Sequence, residues 1–152
     1  MKPATPEVFL LARPSLNIQG LHDYLRAIDV PEWTTDASSD AEAIVEVAGR
    51  SCYRSFAPGL NPSVTKVRNG NKDYLENILK VQHGSVLEHA TWTFVFFNVS
   101  RILTHELVRH RAGVAISQES LRFVRLTQVR GKPRPSGRGQ ERGRHSRPVW
   151  CI

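Results

Sequence analysis

Cysteine is scarce in this chain of 152 residues: Cys52 and Cys151 stand far apart and in no C-x-x-C pattern. Two such residues cannot supply the paired framework that staples a small secreted domain, and they fit a reduced, cytoplasmic setting. Long apolar runs are missing too, since no segment approaches the ~20 residues of a membrane span. The N-terminus carries Lys2 and then prolines at 3 and 6, without the apolar core of a signal peptide. Neither export nor membrane spanning is expected. Acids are nearly absent from residues 127–152, where seven basic residues face Glu141 alone. That stretch accounts for +6 of the formal charge of +7 and leaves the first 126 residues at +1. A nucleic-acid reading must therefore rest on the tail alone.

What remains is enough chain for one domain with a real core. Glu7 to Ala12 is a short apolar run closed by Arg13-Pro14, which predicts a buried first strand. Leu21, Tyr24, Leu25 and Ile28 share one helical face. Asp40 is a credible N-cap for AEAIVEVAGRSCY, in which Ile44, Val47 and Ala48 recur at helical spacing. After a loop marked by Pro58-Gly59 and Asn61-Pro62, the spacing of Tyr74, Leu75, Ile78 and Leu79 predicts an amphipathic helix over 72–81, stopped at His83-Gly84. TWTFVFFNV, residues 91–99, has the aromatic and β-branched composition of a strand packed on both faces. Ser100 then caps a helix RILTHELVRHR with Leu103 and Leu107 inward, and Gly113 breaks it. Residues 120–126 favour an extended chain. Beyond Leu126, Gly, Pro and Arg dominate without apolar periodicity, so residues 127–152 are expected to form a basic disordered tail.

HELVRH at 105–110 resembles a zinc-protease signature, but its second histidine falls at i+5, which turns the two rings roughly 140° apart on an ideal helix. No metal site is expected. Arg109-His110-Arg111 would ordinarily be a solvated helix end. Here Ser117, Gln118, Ser120 and Arg122 follow it, and together they offer guanidinium, hydroxyl and amide groups suited to a phosphate and a planar heterocycle. A nucleotide is the ligand this row predicts. Cys52 has no adjacent base, so no nucleophile is placed for covalent attack.

The ordered set His83-x-Ser85-x-x-Glu88-His89, an aromatic strand, Ser100-Arg101, Arg109-His110-Arg111 and Ser120-Leu121-Arg122-Phe123 resembles the flavin-dependent thymidylate synthases over roughly residues 40–126. The resemblance implies an α+β fold with helices packed on a mixed sheet, and a homotetramer whose active sites are shared between subunits. It implies reductive methylation of dUMP to dTMP with FAD, using NADPH and methylene-tetrahydrofolate as co-substrates. Carried over by position, His83, Ser85, Glu88, Arg109, His110, Arg111 and Gln118 would hold the flavin. Glu106, Arg109, Gln118, Glu119, Ser120, Leu121 and Arg122 would line the dUMP site, with Arg109, Ser120 and Arg122 acting in catalysis. Such enzymes activate the uracil ring electrostatically rather than through a cysteine adduct, in keeping with the missing nucleophile. Eight residues, not the family's seven, separate Arg111 from Ser120; aligning backward from Ser120-x-Arg122 keeps a carboxylate off the phosphate and puts the extra residue in the 112–117 loop. Phe123 replaces a tyrosine of the family motif, and Glu106 stands where many relatives have Gln. The tail from Thr127 matches nothing further in the family and reads as the product of a truncation or frameshift. Two other readings stand beside the enzyme: a non-catalytic remnant of the family, and a nucleic-acid-binding protein acting through its tail.

Overall fold

In a computed structural model, the structure describes residues 5–110, 112–120 and 122–123, and the backbone of 146–151. Two compact units emerge, Arg13–Thr91 and a second made of Met1–Ala12 with Trp92–Ile152.

The Arg13–Thr91 unit is helical. Asn17 starts α1 (Ile18–Ala27) by accepting from the Gly20 N–H at 2.9 Å, and the helix buries Leu25 completely. Ser39, not Asp40, is the N-cap of α2 (Asp40–Tyr53): its hydroxyl accepts from the Glu42 N–H. Glu42 reaches back to accept from the Ser38 N–H and hydroxyl at 3.1 and 2.6 Å, so both ends of the first turn are satisfied. Those bonds hold the Glu42 carboxyl below the usual carboxylate range. Arg54, in the left-handed region at φ 49°, ends the helix.

α3 (Asn71–Lys80) starts one residue earlier than its periodicity predicts and buries Tyr74 and Ile78, while Leu79 is exposed. The left-handed residue after it is Gln82, at φ 55°, rather than Gly84. Gly84 opens a 3-10 helix, Gly84–His89, that periodicity did not indicate. Val86 from this turn joins Val45, Tyr74 and Ile78 in one core cluster; Leu25, Val30 and Phe56 form another.

The other unit is a four-stranded sheet in the order β1-β2-β4-β3, from β1 (Glu7–Ala12), β2 (Thr93–Ser100), β3 (Ile116–Gln118) and β4 (Ser146–Cys151). All three described pairings are antiparallel, which corrects the expected mixed sheet while keeping the fold α+β. β1 forms as predicted, but it is an edge strand exposed along its whole length rather than a buried one. The pairing of β2 with β4 slips between Phe96 and Val99, where Asn98 takes φ 55° and its side-chain amide donates to the Thr5 carbonyl. β4 lies within the stretch expected to be disordered. Six residues of the tail instead fill the position between β2 and β3, because a strand between two neighbours satisfies its backbone groups on both edges. The intervening residues 124–145 lie outside the described part.

Ser100 caps α4 (Arg101–Leu107) by accepting from the Leu103 N–H, as its sequence position predicts. The helix stops at Leu107, short of the predicted RILTHELVRHR, and His110 lies beyond the cap residue Val108. Its inward face is also turned: Leu103 is exposed, whereas Thr104 is 3% exposed and Leu107 packs with Phe96 and Ile116 around Val99. Among the described residues no helix is long and apolar enough to cross a membrane.

Candidate functional site

The residues singled out by their motifs fall in two places, each described within its own unit. In the sheet unit, α4 and the segment around β3 are joined by polar contacts. Gln118 donates through Nε2 to the Thr104 hydroxyl at 2.5 Å, and Thr104 in turn donates to the Arg101 carbonyl at 3.0 Å. Arg101 donates through Nη2 to the Glu119 carbonyl at 2.7 Å, and its buried Nε has no partner. The Ser120 hydroxyl accepts from the Arg122 N–H at 3.2 Å, a local turn that sets Ser120 and Arg122 together. Arg122 lies 5.3 Å from the centroid of the Phe123 ring, within cation–π range, so its guanidinium is propped by an exposed aromatic.

Glu106, Arg109 and His110 occupy the C-terminal end of α4 and the turn after it, all exposed. The N–H groups of Arg109 and His110 bond to the Glu106 and Leu107 carbonyls at 3.1 and 3.0 Å, which tightens this end into a turn. Cations here complement the negative end of the helix dipole. Gly113, at φ 70°, sits in the loop to which the extra residue was assigned, and it adopts a backbone conformation that side chains disfavour. Arg111 and Leu121 lie outside the described residues.

His83, Ser85 and Glu88 belong to the helical unit. His83 immediately precedes the 3-10 helix that carries Ser85 and Glu88. Its ring meets Tyr53 edge-on with centroids 5.3 Å apart, and its Nδ1 is buried without a hydrogen-bond partner. Ser85 and Glu88 are exposed.

Motif reading missed the groups that order these segments. Thr104 ties α4 to Gln118, and its signal was only a hydroxyl amid leucines. In the helical unit Glu46 and Arg50, each 1% exposed, form an ion pair at 2.7 Å, with a second bond from Arg50 Nε at 2.8 Å. Arg50 also donates to the Ser55 and Arg68 carbonyls, and Glu46 accepts from Thr35 and Asn71. The Arg50 guanidinium lies 4.5 Å from the centroid of the Tyr74 ring. Burial pushes the Tyr74 hydroxyl up to about 12, against the opposing pull of Arg50. An i,i+4 Glu-Arg pair was visible in the sequence, but such pairs ordinarily face water.

Among the described residues no group of three or more His, Cys, Asp or Glu side chains could hold a metal ion. Each unit keeps a polar group without a partner. Arg109 has no ion pair among the described residues, and His83 keeps a buried ring nitrogen in want of a partner.

Comparison with known proteins points the same way. The family described as thymidylate synthase complementing protein matches residues 35–145, running past residue 126 where the motif resemblance ended. A flavin-dependent thymidylate synthase of Mycobacterium tuberculosis is 47% identical over 102 residues, which cover 67% of this chain and 38% of that protein. Proteins of the same name from Mycobacterium marinum and Mycobacteroides abscessus are 46% and 44% identical over the same coverage. The chain thus spans 38% of the length of the curated relatives it matches. With a family match over residues 35–145, most of its length, the chain belongs to the thymidylate synthase complementing protein family.

Proposed function

We propose that this chain carries flavin- and dUMP-binding residues of a flavin-dependent thymidylate synthase, which converts dUMP to dTMP with FAD, NADPH and methylene-tetrahydrofolate. The observation that carries the reading is the ordered run from His83 to Arg122 in a chain 47% identical to proteins bearing that name. Arg109, His110, Arg111 and Gln118, with His83, Ser85 and Glu88, would hold the flavin, whose chemistry is to pass reducing equivalents toward the pyrimidine. Glu106, Glu119, Ser120, Leu121 and Arg122, together with Arg109 and Gln118, would line the nucleotide site.

The chain's own part in that chemistry is electrostatic. Ser120 and Arg122 offer a hydroxyl and a guanidinium to a phosphate, and the turn between them presets their spacing. Arg109 supplies positive charge where the uracil ring gains electron density, an effect worth roughly 3 to 4 kcal/mol for one well-placed donor. Gln118 is held by Thr104, so its amide orientation is set before ligand arrives. A homotetramer is part of the same proposal.

The test is direct. The purified protein, incubated with FAD and passed through gel filtration, should retain a flavin absorbance that Arg109→Ala removes. Supplied with dUMP, NADPH and methylene-tetrahydrofolate, it should form dTMP. Flavin retention without dTMP would leave the binding half of the proposal standing and remove the catalytic half; a colourless protein would sink both.

A further inference from the structure

The helical unit holds a cavity of about 280 Å³ that the thymidylate reading does not use. Arg50, Tyr53, Lys66, Arg68, Tyr74 and Asn77 contribute to its wall, and no aspartate or glutamate does. Its construction begins with Arg50. By donating to the Ser55 carbonyl at 2.9 Å and the Arg68 carbonyl at 2.7 Å, this buried guanidinium pins both ends of the 55–68 loop to α2. The charge of Arg50 is matched by Glu46 and its hydrogen bonds are engaged, so it is scaffold rather than ligand-binding group.

Lys66 and Arg68 differ from it. Neither side chain has an ion pair or hydrogen bond among the described residues, and Arg68 is half-buried. Asp36 is already engaged as the acceptor for the Asn71 N–H at 2.7 Å, and Asp73, in the first turn of α3, is exposed and does not line the cavity. Two uncompensated cations therefore share one concave wall. The Tyr74 ring, at 6% exposed, is part of the wall, while its hydroxyl is buried against Gly49. Lys66 is exposed, but Arg68 is a cation held partly out of water without a counter-ion, which is costly, and an anion entering the cavity would recover that cost. The volume is at the small end for ligand sites, which suits a phosphate group with a short organic stem. Arginine's planar fork matches two phosphate oxygens, while lysine supplies a point charge.

We propose that the cavity between α2, α3 and the 55–68 loop is an anion site for phosphate or a small phosphomonoester, with Lys66 and Arg68 as its charged donors.

Lysine acylation read by mass spectrometry on the full chain tests this locally, because Lys72 and Lys80 are exposed internal references on α3. With inorganic phosphate at roughly twice its Kd, Lys66 reactivity should fall about threefold, as the free fraction does, at constant ionic strength. Lys72 and Lys80 should not change. Glycerol phosphate protecting at lower concentration would assign the site to a phosphomonoester, and equal protection to free phosphate. Arg68→Ala, which keeps the backbone carbonyl that Arg50 holds, should abolish Lys66 protection without lowering the thermal midpoint, and Arg122→Ala should leave it intact. Equal protection of all three lysines, or persistence of Lys66 protection in Arg68→Ala, would overturn the proposal. Should Arg68→Ala fail to fold, the comparison of Lys66 with Lys72 and Lys80 in the unaltered protein decides alone. Flavin plays no part in this readout, so its outcome is independent of the thymidylate synthase assignment.

Discussion

The helical unit and the sheet unit both leave large apolar side chains exposed, Leu79 and Val81 among them in the first, but they differ in what they bury. Between Arg13 and Thr91, charge is taken inside: Glu46 and Arg50 are buried together, and Thr35, Asn71, Ser55 and Arg68 satisfy their remaining hydrogen bonds. In the sheet unit Val95 and Val99 are buried, but a whole strand of apolar groups stays outside. Val8, Phe9, Leu10 and Leu11 on β1 are about half exposed, as are Leu103 and Val108, and Phe123 is 78% exposed. Its one described core cluster centres on Val99. The contrast shows where each unit is vulnerable. A buried ionic network is satisfied only as a set, so losing one member harms more than the pair's net worth. An exposed apolar strand loses little when one side chain changes.

The largest effect should follow from breaking that network. Arg50→Ala would strand the Glu46 carboxylate and leave the Ser55 and Arg68 carbonyls without their donor, a loss of about 3 to 5 kcal/mol, read as a lower urea midpoint. Leu10→Ala on β1 serves as the reference and should cost less than about 1 kcal/mol. Equal losses would refute the contrast. Thr104→Val probes a polar tie of the sheet unit. Removing the acceptor for Gln118 should cost about 1 to 2 kcal/mol, and flavin retention should fall in the same variant.

Tyr74→Phe sharpens the comparison from the other side. The Tyr74 hydroxyl lacks a partner, and a Cβ built on Gly49 would lie 2.3 Å from it, so removing the oxygen should raise stability by up to about 1 kcal/mol. The same variant has a pH signature. Folding raises this hydroxyl from 10.0 to about 12, so no ionisation penalty acts below pH 10, and one builds up as pH climbs toward 12 and the unfolded chain alone ionises. Alkaline unfolding in that window should be blunted in Tyr74→Phe. The smallest change concerns the helix cap. Because the Glu42 carboxyl is held low by Ser38, its stabilisation is present above the usual carboxylate range and is lost as pH falls through the lowered value. Ser38→Ala should flatten the acid limb of the stability curve slightly, and an unchanged limb would remove Ser38 from the account.

The legible parts of the fold were local. α1, α2, α3 and β2 follow from apolar spacing, and Ser100 acts as the cap its position suggested, because these signals reside within a few residues of where they act. Phase was harder than period. On α4 the leucine spacing is helical, yet Thr104 faces inward and Leu103 outward, since Gln118 offers the hydroxyl a partner that no leucine could use. Spacing within one helix carries no information about a side chain fourteen positions away.

By itself the sequence determined the family, through His83 to His89, Arg109 to Arg111 and Ser120 to Arg122, and it determined most helices through their repeating apolar faces. Only the tertiary structure decided which charges are buried and where the chain's last strand pairs. Glu46 and Arg50 read as a surface pair until Asn71, Ser55 and Arg68 are brought around them. Residues 146–151 read as part of a polar tail until β2 and β3 present free edges on either side. Both outcomes depend on hydrogen-bond partners distant in sequence, and no local pattern specifies those.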